Sequence, residues 1–198
     1  MFGLVPCSII VLAVIIDRAR TFWAYNKIDT RSLRARVLEL IGDGDVRGAA
    51  HLCASTPGPV SAVLLVGLQT FNKHRDLTGR GDTLTNVMEK SMDDYALHAM
   101  SAVEYRLSML STIANVAPLL GMLGTVTGMI SAFESMVEAG VNPELVAGGI
   151  AEALITTAAG LLIAVVAVVP FHFFTTKAEQ IELEVEEART ELLDFVAT

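Results

Sequence analysis

The chain has 198 residues, of which 53% are hydrophobic and 18% are charged, and its formal net charge is −8. Soluble globular proteins carry about 25% charged residues, so this composition is too apolar for an ordinary soluble domain. The acidic balance gives no indication of a nucleic-acid partner. Apolar residues are concentrated in three blocks separated by charged segments. These features predict an all-α membrane protein in contact with lipid, with three transmembrane helices.

The first apolar block, 1–16, contains sixteen residues and no charged side chain. As a helix it would be about 24 Å long, slightly short of the ~30 Å hydrocarbon core of a bilayer. Basic and aromatic residues follow as far as Tyr25, which is typical of a membrane-interface anchor and not of a signal-peptide cleavage site. We therefore expect a retained transmembrane helix, and its shortness suggests that part of it precedes Met1.

The second and third spans are predicted within 107–133 and 145–174. The segment between them, 134–144, carries three acidic residues and no Lys or Arg. Of the 14 Lys and Arg residues, 12 precede the second span and two follow the third. Positive charge stays on the cytoplasmic side of a membrane. The N-terminus and the 134–144 loop are therefore predicted to be periplasmic, and 17–106 and the tail 175–198 cytoplasmic.

The predicted cytoplasmic segments are helical. Apolar residues recur at helical spacing in 31–41, 45–56 and 60–72, and Gly and Pro separate these stretches. A longer stripe is expected to run without a break into the second span, so that one long helix extends into the cytoplasmic domain. Its members are Leu84, Met88, Met92, Tyr95, Ala99 and Ala102. The tail has a heptad-like seam formed by Ile181, Val185, Ala188, Leu192 and Phe195.

Glu152 is the one carboxylate inside the third predicted span. A charged side chain at that depth costs at least ~2.5–3.5 kcal/mol, so it usually faces a water-filled cavity or a partner. An ion or proton pathway is the default interpretation. Thr156 shares the helix face of Glu152, whereas Thr157 lies about 140° round the helix from it. Helix packing through hydroxyl hydrogen bonds is the alternative interpretation of both threonines.

The second span contains small residues that predict close helix packing. Gly124 and Gly128 form a GxxxG match. Pro118, Gly121 and Thr125 fall near the same face. Because small residues let helix backbones approach closely in lipid, we expect this face to pack tightly beside a polar conduit.

Neither an enzyme site nor a metal site is expected. His51 and Cys53 are two residues apart, but no second pair accompanies them. No set of nucleophile, base and orienting group is visible, and no cofactor motif is found. Cys7 is placed in the membrane and Cys53 in the cytoplasm, so a disulfide is not expected.

The runs 117–129 and 148–161 together strongly resemble the MotA/TolQ/ExbB proton-channel family, and most closely its ExbB branch. The resemblance implies a subunit of the bacterial inner membrane that assembles as a pentamer around a dimer of a single-span ExbD- or TolR-like partner. It implies that proton motive force is converted into mechanical work on a TonB-like transducer that drives outer-membrane transport. By motif position, it implies that Thr125, Glu152 and Thr157 line the ion pathway. Gly160 is assigned to helix packing or pore lining.

Alternatives remain at this point. Val166 stands where the family commonly has proline, and Phe171-His172 replaces a usual tyrosine-asparagine pair, so a TolQ-like role in outer-membrane integrity and cell division stays open. A non-conducting scaffold, in which Glu152 pairs with a basic side chain of a partner, is the alternative from another class. A solute transporter would require repeated halves, which the three spans do not provide. One carboxylate with nearby hydroxyls is compatible with both H⁺ and Na⁺.

Overall fold

The computed structural model describes residues 4–25, 28–74, 81–139 and 143–197. Within these ranges the chain forms seven helices and no strand, which confirms the predicted all-α fold. The helices are α1 (Leu4–Tyr25), α2 (Thr30–Gly42), α3 (Val46–Ser55), α4 (Pro59–Lys73), α5 (Gly81–Glu104), α6 (Leu107–Ala139) and α7 (Pro143–Ala197).

The helices belong to two compact units. The described residues of 1–19 and 106–174 form one, here called the apolar unit. Those of 20–105 and 175–198 form the other, here called the helical domain. Helices α1 and α7 contribute residues to both units.

The helical domain has its own hydrophobic core, to which α2, α3, α4, α5 and the last part of α7 contribute. Its largest fully buried apolar side chains are Leu64, Leu68, Leu84, Met88, Met92 and Leu192. Three members of the predicted tail seam, Val185, Ala188 and Leu192, lie in this core. Phe195, the last member, is 42% exposed. Removal of these side chains from water is the main force that holds the domain together.

Local sequence explains where the short helices of this domain begin. The Asp29 carboxylate accepts backbone N–H groups of the first turn of α2, and Asp45 does the same for α3. Such caps satisfy N–H groups that have no partner inside the helix. Gly58 has a φ of 142°, which favours glycine, and Pro59 occupies the first position of α4.

The stripe predicted on α5 is buried only in its first half. Leu84, Met88 and Met92 are 2%, 0% and 0% exposed, but Tyr95 is 41% exposed. The buried face continues to Met100 instead. Steps of four residues overshoot one turn of 3.6, so this face winds gradually round the helix. Beyond Met92 the residues that are buried within the single subunit therefore differ from those of the predicted stripe.

The expected unbroken helix from α5 into the second span is also wrong, because α5 ends at Glu104 and α6 begins at Leu107. Neither Tyr105 nor Arg106 is a helix breaker, so helix propensity does not explain the interruption. It coincides with the division between the two units. Within the apolar unit, the Arg106 guanidinium lies 2.5 Å from the carboxylate of Asp17, a tertiary contact immediately before α6 begins.

Helices α6 and α7 contain segments long and apolar enough to cross a membrane, within Leu107–Val137 and Val146–Ala197. Only 17% and 22% of their most apolar windows is buried. Large side chains such as Leu119 and Leu162 are exposed. A core helix of a soluble protein would bury such residues, so lipid or other subunits must cover them. The first span, predicted at 1–16, stays a prediction.

The segment predicted as a loop, 134–144, is helical at both ends. Helix α6 continues to Ala139 because no Gly or Pro interrupts it earlier in this segment. Helix α7 begins at Pro143, whose fixed φ suits the first position of a helix. Residues 140–142 lie outside the described ranges.

The thiol of Cys53 offers a test of the helical-domain core. Cys53 is 2% exposed, and burial raises its pKa to about 11 from an ordinary value of 9.0. Only the thiolate is alkylated, so at pH 8 we expect labelling at least about 100-fold slower than in the unfolded chain. A Cys7→Ser variant leaves Cys53 as the only thiol. Iodoacetamide labelling of this variant, native and in denaturant, measures the ratio; equal rates would contradict the burial.

Candidate functional site

Helices α6 and α7 pack through small residues inside the apolar unit. A Cβ atom added to Gly160 would lie 2.7 Å from the Ala117 carbonyl oxygen and 3.0 Å from the Gly121 Cα. These neighbours are backbone atoms, so no side chain fits at this position. We call this contact the glycine seam, and its members are Ala117, Gly121, Gly124, Gly128 and Ala132 of α6 and Gly149, Ala153, Thr156 and Gly160 of α7.

The seam continues away from Gly160 toward the end of α6. A Cβ atom on Gly128 would lie 2.9 Å from that of Ala153, and one on Gly149 would lie 2.8 Å from that of Ala132. All four glycines that the sequence assigned to packing or pore lining are thus members of the seam. Pro118 lies inside α6 next to the seam and is partly buried. Since Pro has no N–H, it leaves one carbonyl of the preceding turn without its usual helical donor.

The three threonines of the predicted pathway have different surroundings. Thr156 is 6% exposed, and its hydroxyl donates to the Glu152 carbonyl at 2.9 Å. The Thr157 hydroxyl donates across the seam to the Gly121 carbonyl at 2.9 Å. The Thr125 hydroxyl donates to the Met122 carbonyl at 2.7 Å. Thr156 and Thr157 therefore make the hydrogen bonds that the packing interpretation requires, and their pore-lining role stays a prediction.

A groove of about 310 Å³ runs along one side of the glycine seam. Glu152 lines it and is exposed in the single subunit. The polar side chains that share the groove are Thr127, Ser131 and Ser135 of α6 and Thr156 of α7. The structure thus brings Glu152 and Thr156 together and places Thr125 and Thr157 outside the residues that line the groove.

Sequence reasoning did not single out the three α6 hydroxyls. Thr127, Ser131 and Ser135 are four residues apart, so successive members lie about one helical turn apart along one side of α6. A polar residue at every fourth position of an apolar helix is a signal that the sequence carries. The signal is weak on its own, because Ser and Thr also occur in membrane helices where they only bond to their own backbone.

The groove has the chemistry of a cation site. Its polar groups are one carboxylate and four hydroxyls, and none of the described residues that line it is Lys, Arg or His. A carboxylate can hold a proton or a cation, and hydroxyl oxygens can accept from water or contact a cation. Among the described residues, no group of three or more His, Cys, Asp or Glu could hold a metal ion.

Comparison with known proteins shows the family of the segment that contains the groove. The sequence profile of the MotA/TolQ/ExbB proton channel family matches residues 56–187, more than half of the chain, including the seam and Glu152. The biopolymer transport protein ExbB of Xanthomonas campestris pv. campestris is 26% identical over 207 residues, covering 96% of this chain and 82% of the relative.

Proteins named TolQ and proteins named ExbB-like match this chain with similar identity. The Tol-Pal system protein TolQ of Haemophilus influenzae is 28% identical over 185 residues, covering 90% of this chain and 79% of the relative. A putative biopolymer transport protein, ExbB-like 3 of Synechocystis sp., is 30% identical over 161 residues, covering 80% of this chain and 71% of the relative. Because these identities are similar, they do not separate the two kinds of relative.

Proposed function

Since the chain belongs to the MotA/TolQ/ExbB proton channel family, we propose that it is the ion-conducting subunit of an ExbB–ExbD type complex in the bacterial inner membrane. The complex converts proton motive force into mechanical work on a TonB-like transducer for outer-membrane transport. The chain catalyses no covalent reaction. Its N-terminus and the α6–α7 connection face the periplasm, and the helical domain and the tail face the cytoplasm.

The observation that carries this proposal is the position of Glu152 on α7. Glu152 is nine residues from Pro143, where α7 begins, or about 14 Å along the helix axis. The hydrocarbon core of a bilayer is ~30 Å thick, so a membrane surface at the start of α7 would place the carboxylate near the middle of that core. A carboxylate at that depth, in a groove with four hydroxyls, is suited to take up and release an ion.

The work available per ion is sufficient for conformational motion. Moving one elementary charge through 100 mV releases ~2.3 kcal/mol. In a pentamer, the Glu152 carboxylates of all subunits would surround a central dimer of an ExbD-like single-span partner. Each ion passed from Glu152 to an acidic group of that partner would shift the partner within the ring. The exposed apolar faces of α6 and α7 supply the surface for lipid and for neighbouring subunits.

A TolQ-like role in outer-membrane integrity and cell division is the second candidate, supported by the TolQ relative at 28% identity. Genetic complementation distinguishes the ExbB-like role from the TolQ-like role. Expression in strains that lack ExbB or TolQ, with TonB-dependent uptake and detergent resistance as the readouts, is expected to restore uptake in the first strain. Restoration of detergent resistance alone, without TonB-dependent uptake, would assign the chain to the TolQ branch.

Ion conduction itself is tested by reconstitution. The chain, co-purified with its single-span partner, is placed in liposomes that contain a pH-sensitive dye, and a potassium diffusion potential drives the flux. We expect proton uptake only when both proteins are present. If the two proteins co-purify but uptake equals that of protein-free liposomes, the non-conducting scaffold is the better account.

A further inference from the structure

The groove extends well beyond Glu152 along α6. Contacts across the glycine seam show which residues of α6 and α7 lie at the same height along the helix pair. Gly128 lies opposite Ala153, and Ala132 lies opposite Gly149. Glu152 therefore lies at the level between Thr127 and Ser131. Ser135 lies farther along, toward the end of α6 at Ala139. We call Thr127, Ser131 and Ser135 the hydroxyl ladder. It spans eight residues, or about 12 Å along the helix axis.

Hydrogen bonding orients the first and last hydroxyls of the ladder. The Thr127 hydroxyl donates to the carbonyl oxygens of Leu123 and Gly124, both at 3.1 Å. The Ser135 hydroxyl donates to the carbonyl of Ser131 at 2.9 Å. A hydroxyl has one proton and two lone pairs, so an oxygen whose proton is bonded to its own helix presents lone pairs elsewhere. Thr156, on the opposite wall, has the same arrangement.

The groove consequently offers acceptor oxygens together with one carboxylate. Water molecules donate to acceptor oxygens, and a hydronium or sodium ion is stabilised by them, whereas an anion is repelled. A polar lining and a volume of about 310 Å³ leave room for several water molecules. The glycine seam, by contrast, is closed by direct contact between backbone atoms and small side chains of the two helices, which leaves no room for water.

We propose that the hydroxyl ladder is the access path by which a monovalent cation reaches Glu152 from the Ala139 end of α6. The cation travels to Glu152 through water held first by Ser135 and then by Ser131. Thr127, just beyond the height of Glu152, holds water on the far side of the carboxylate. The inference rests on the proposed ion-conducting function and adds the route and the residues that form it. Both a proton and Na⁺ fit this oxygen chemistry, and the experiment below distinguishes them.

The first test removes the hydroxyls and keeps side-chain volume. The triple variant Thr127→Val, Ser131→Ala, Ser135→Ala is reconstituted with the single-span partner and compared with wild type and with Glu152→Gln. Thr112→Val is the matched control, because Thr112 is another exposed threonine of α6 that donates to its own helix, to the Ser108 carbonyl at 2.9 Å, outside the groove. We expect at least a tenfold lower flux in the triple variant, wild-type flux in the control, and unchanged co-purification of the partner.

The same liposomes show whether the conducted ion is a proton or Na⁺. Proton flux is measured in sodium-free choline buffer, and uptake of radioactive sodium is measured in sodium buffer. Flux in choline that the triple variant lowers assigns the ladder to protons, and sodium uptake that it lowers assigns the ladder to Na⁺. If Glu152→Gln abolishes flux while the triple variant conducts like wild type, the ladder is excluded and the proposed function stands.

The second test does not depend on conduction. Ser131→Cys and Ile130→Cys are made in a Cys7→Ser background, and spheroplasts are treated with an impermeant cationic methanethiosulfonate from the outer face. Ile130 is the matched neighbour, since it is 51% exposed but does not line the groove. We expect Cys at 131 to react at least ten times faster, and faster with the cationic reagent than with an anionic one. Equal rates at the two positions would show that the groove gives position 131 no special access to water and would overturn the access path, whatever the flux measurements give.

Discussion

Gly160→Leu is expected to abolish assembly of the complex. The position has no space for a side chain, because a Cβ atom would lie 2.7 Å from the Ala117 carbonyl oxygen and 3.0 Å from the Gly121 Cα. Backbone atoms of a helix cannot move aside as a flexible side chain can, so α6 and α7 must separate. Overpacking of a close contact costs typically ~1–3 kcal/mol, and a Leu at backbone contact exceeds that range. Gly160→Ala is expected to weaken assembly by a smaller amount.

Gly148→Ala is the matched control for Gly160→Ala. Both glycines lie within α7, but a Cβ atom at Gly148 would have no described heavy atom within 4 Å beyond its chain neighbours and the local backbone of its own helix. Ala favours a helix over Gly by about 1 kcal/mol, so this control should be neutral or stabilising. Size-exclusion chromatography and native mass spectrometry in mild detergent give the assembled fraction, which should fall more than tenfold for Gly160→Leu. Normal assembly of Gly160→Leu would mean that the glycine seam does not hold the two helices together.

Leu192→Ala is expected to have the largest effect on the stability of the helical domain. Leu192 is 0% exposed and lies in the core formed by α2–α5 and α7. Truncation of a buried Leu loses transfer free energy and leaves a cavity, which together cost about 2–5 kcal/mol. For a chain of this size, each kcal/mol lowers the unfolding midpoint by roughly 2–4 °C.

Leu183→Ala is the control for that substitution, since Leu183 is on the same helix and 64% exposed. Exposed positions usually change stability by less than about 0.5 kcal/mol. Thermal unfolding followed by circular dichroism in detergent should therefore separate the two variants clearly. Equal midpoints would show that the end of α7 is not part of the domain core.

Much of the fold can be predicted from patterns in the sequence. The two compact units divide after Ala19, Tyr105 and Phe174, close to positions where apolar sequence meets charged sequence. The membrane boundaries predicted at 16/17, 106/107 and 174/175 stay predictions. Apolar block length and charge placement are one-dimensional properties, so they can be read without knowledge of packing. The separation of α2, α3 and α4 follows from Gly and Pro for the same reason.

Features that depend on contacts between distant residues were not predicted. The interruption at Tyr105 has no local cause, and the winding of the buried face of α5 appears only once its neighbours are in place. In the site, helical spacing shows that Glu152 and Thr157 point in different directions. Helical spacing does not show that Glu152 lines the groove, nor that the Thr157 hydroxyl donates to the Gly121 carbonyl across the seam. Glu152 is identified by the sequence itself, as the one carboxylate of an apolar span, whereas only the pairing of α6 with α7 shows that the hydroxyl ladder lies beside it.

Proton flux through liposomes measures most directly whether Glu152 carries the ion. Wild type, Glu152→Gln and Glu134→Gln are each reconstituted with the single-span partner. Glu134 is the matched control, an exposed carboxylate of α6 that does not line the groove. We predict that Glu152→Gln keeps the partner but lowers the flux at least about tenfold, to the level of protein-free liposomes, while Glu134→Gln conducts like wild type. Wild-type flux in Glu152→Gln would contradict the account and leave Glu152 a structural or ion-pairing residue.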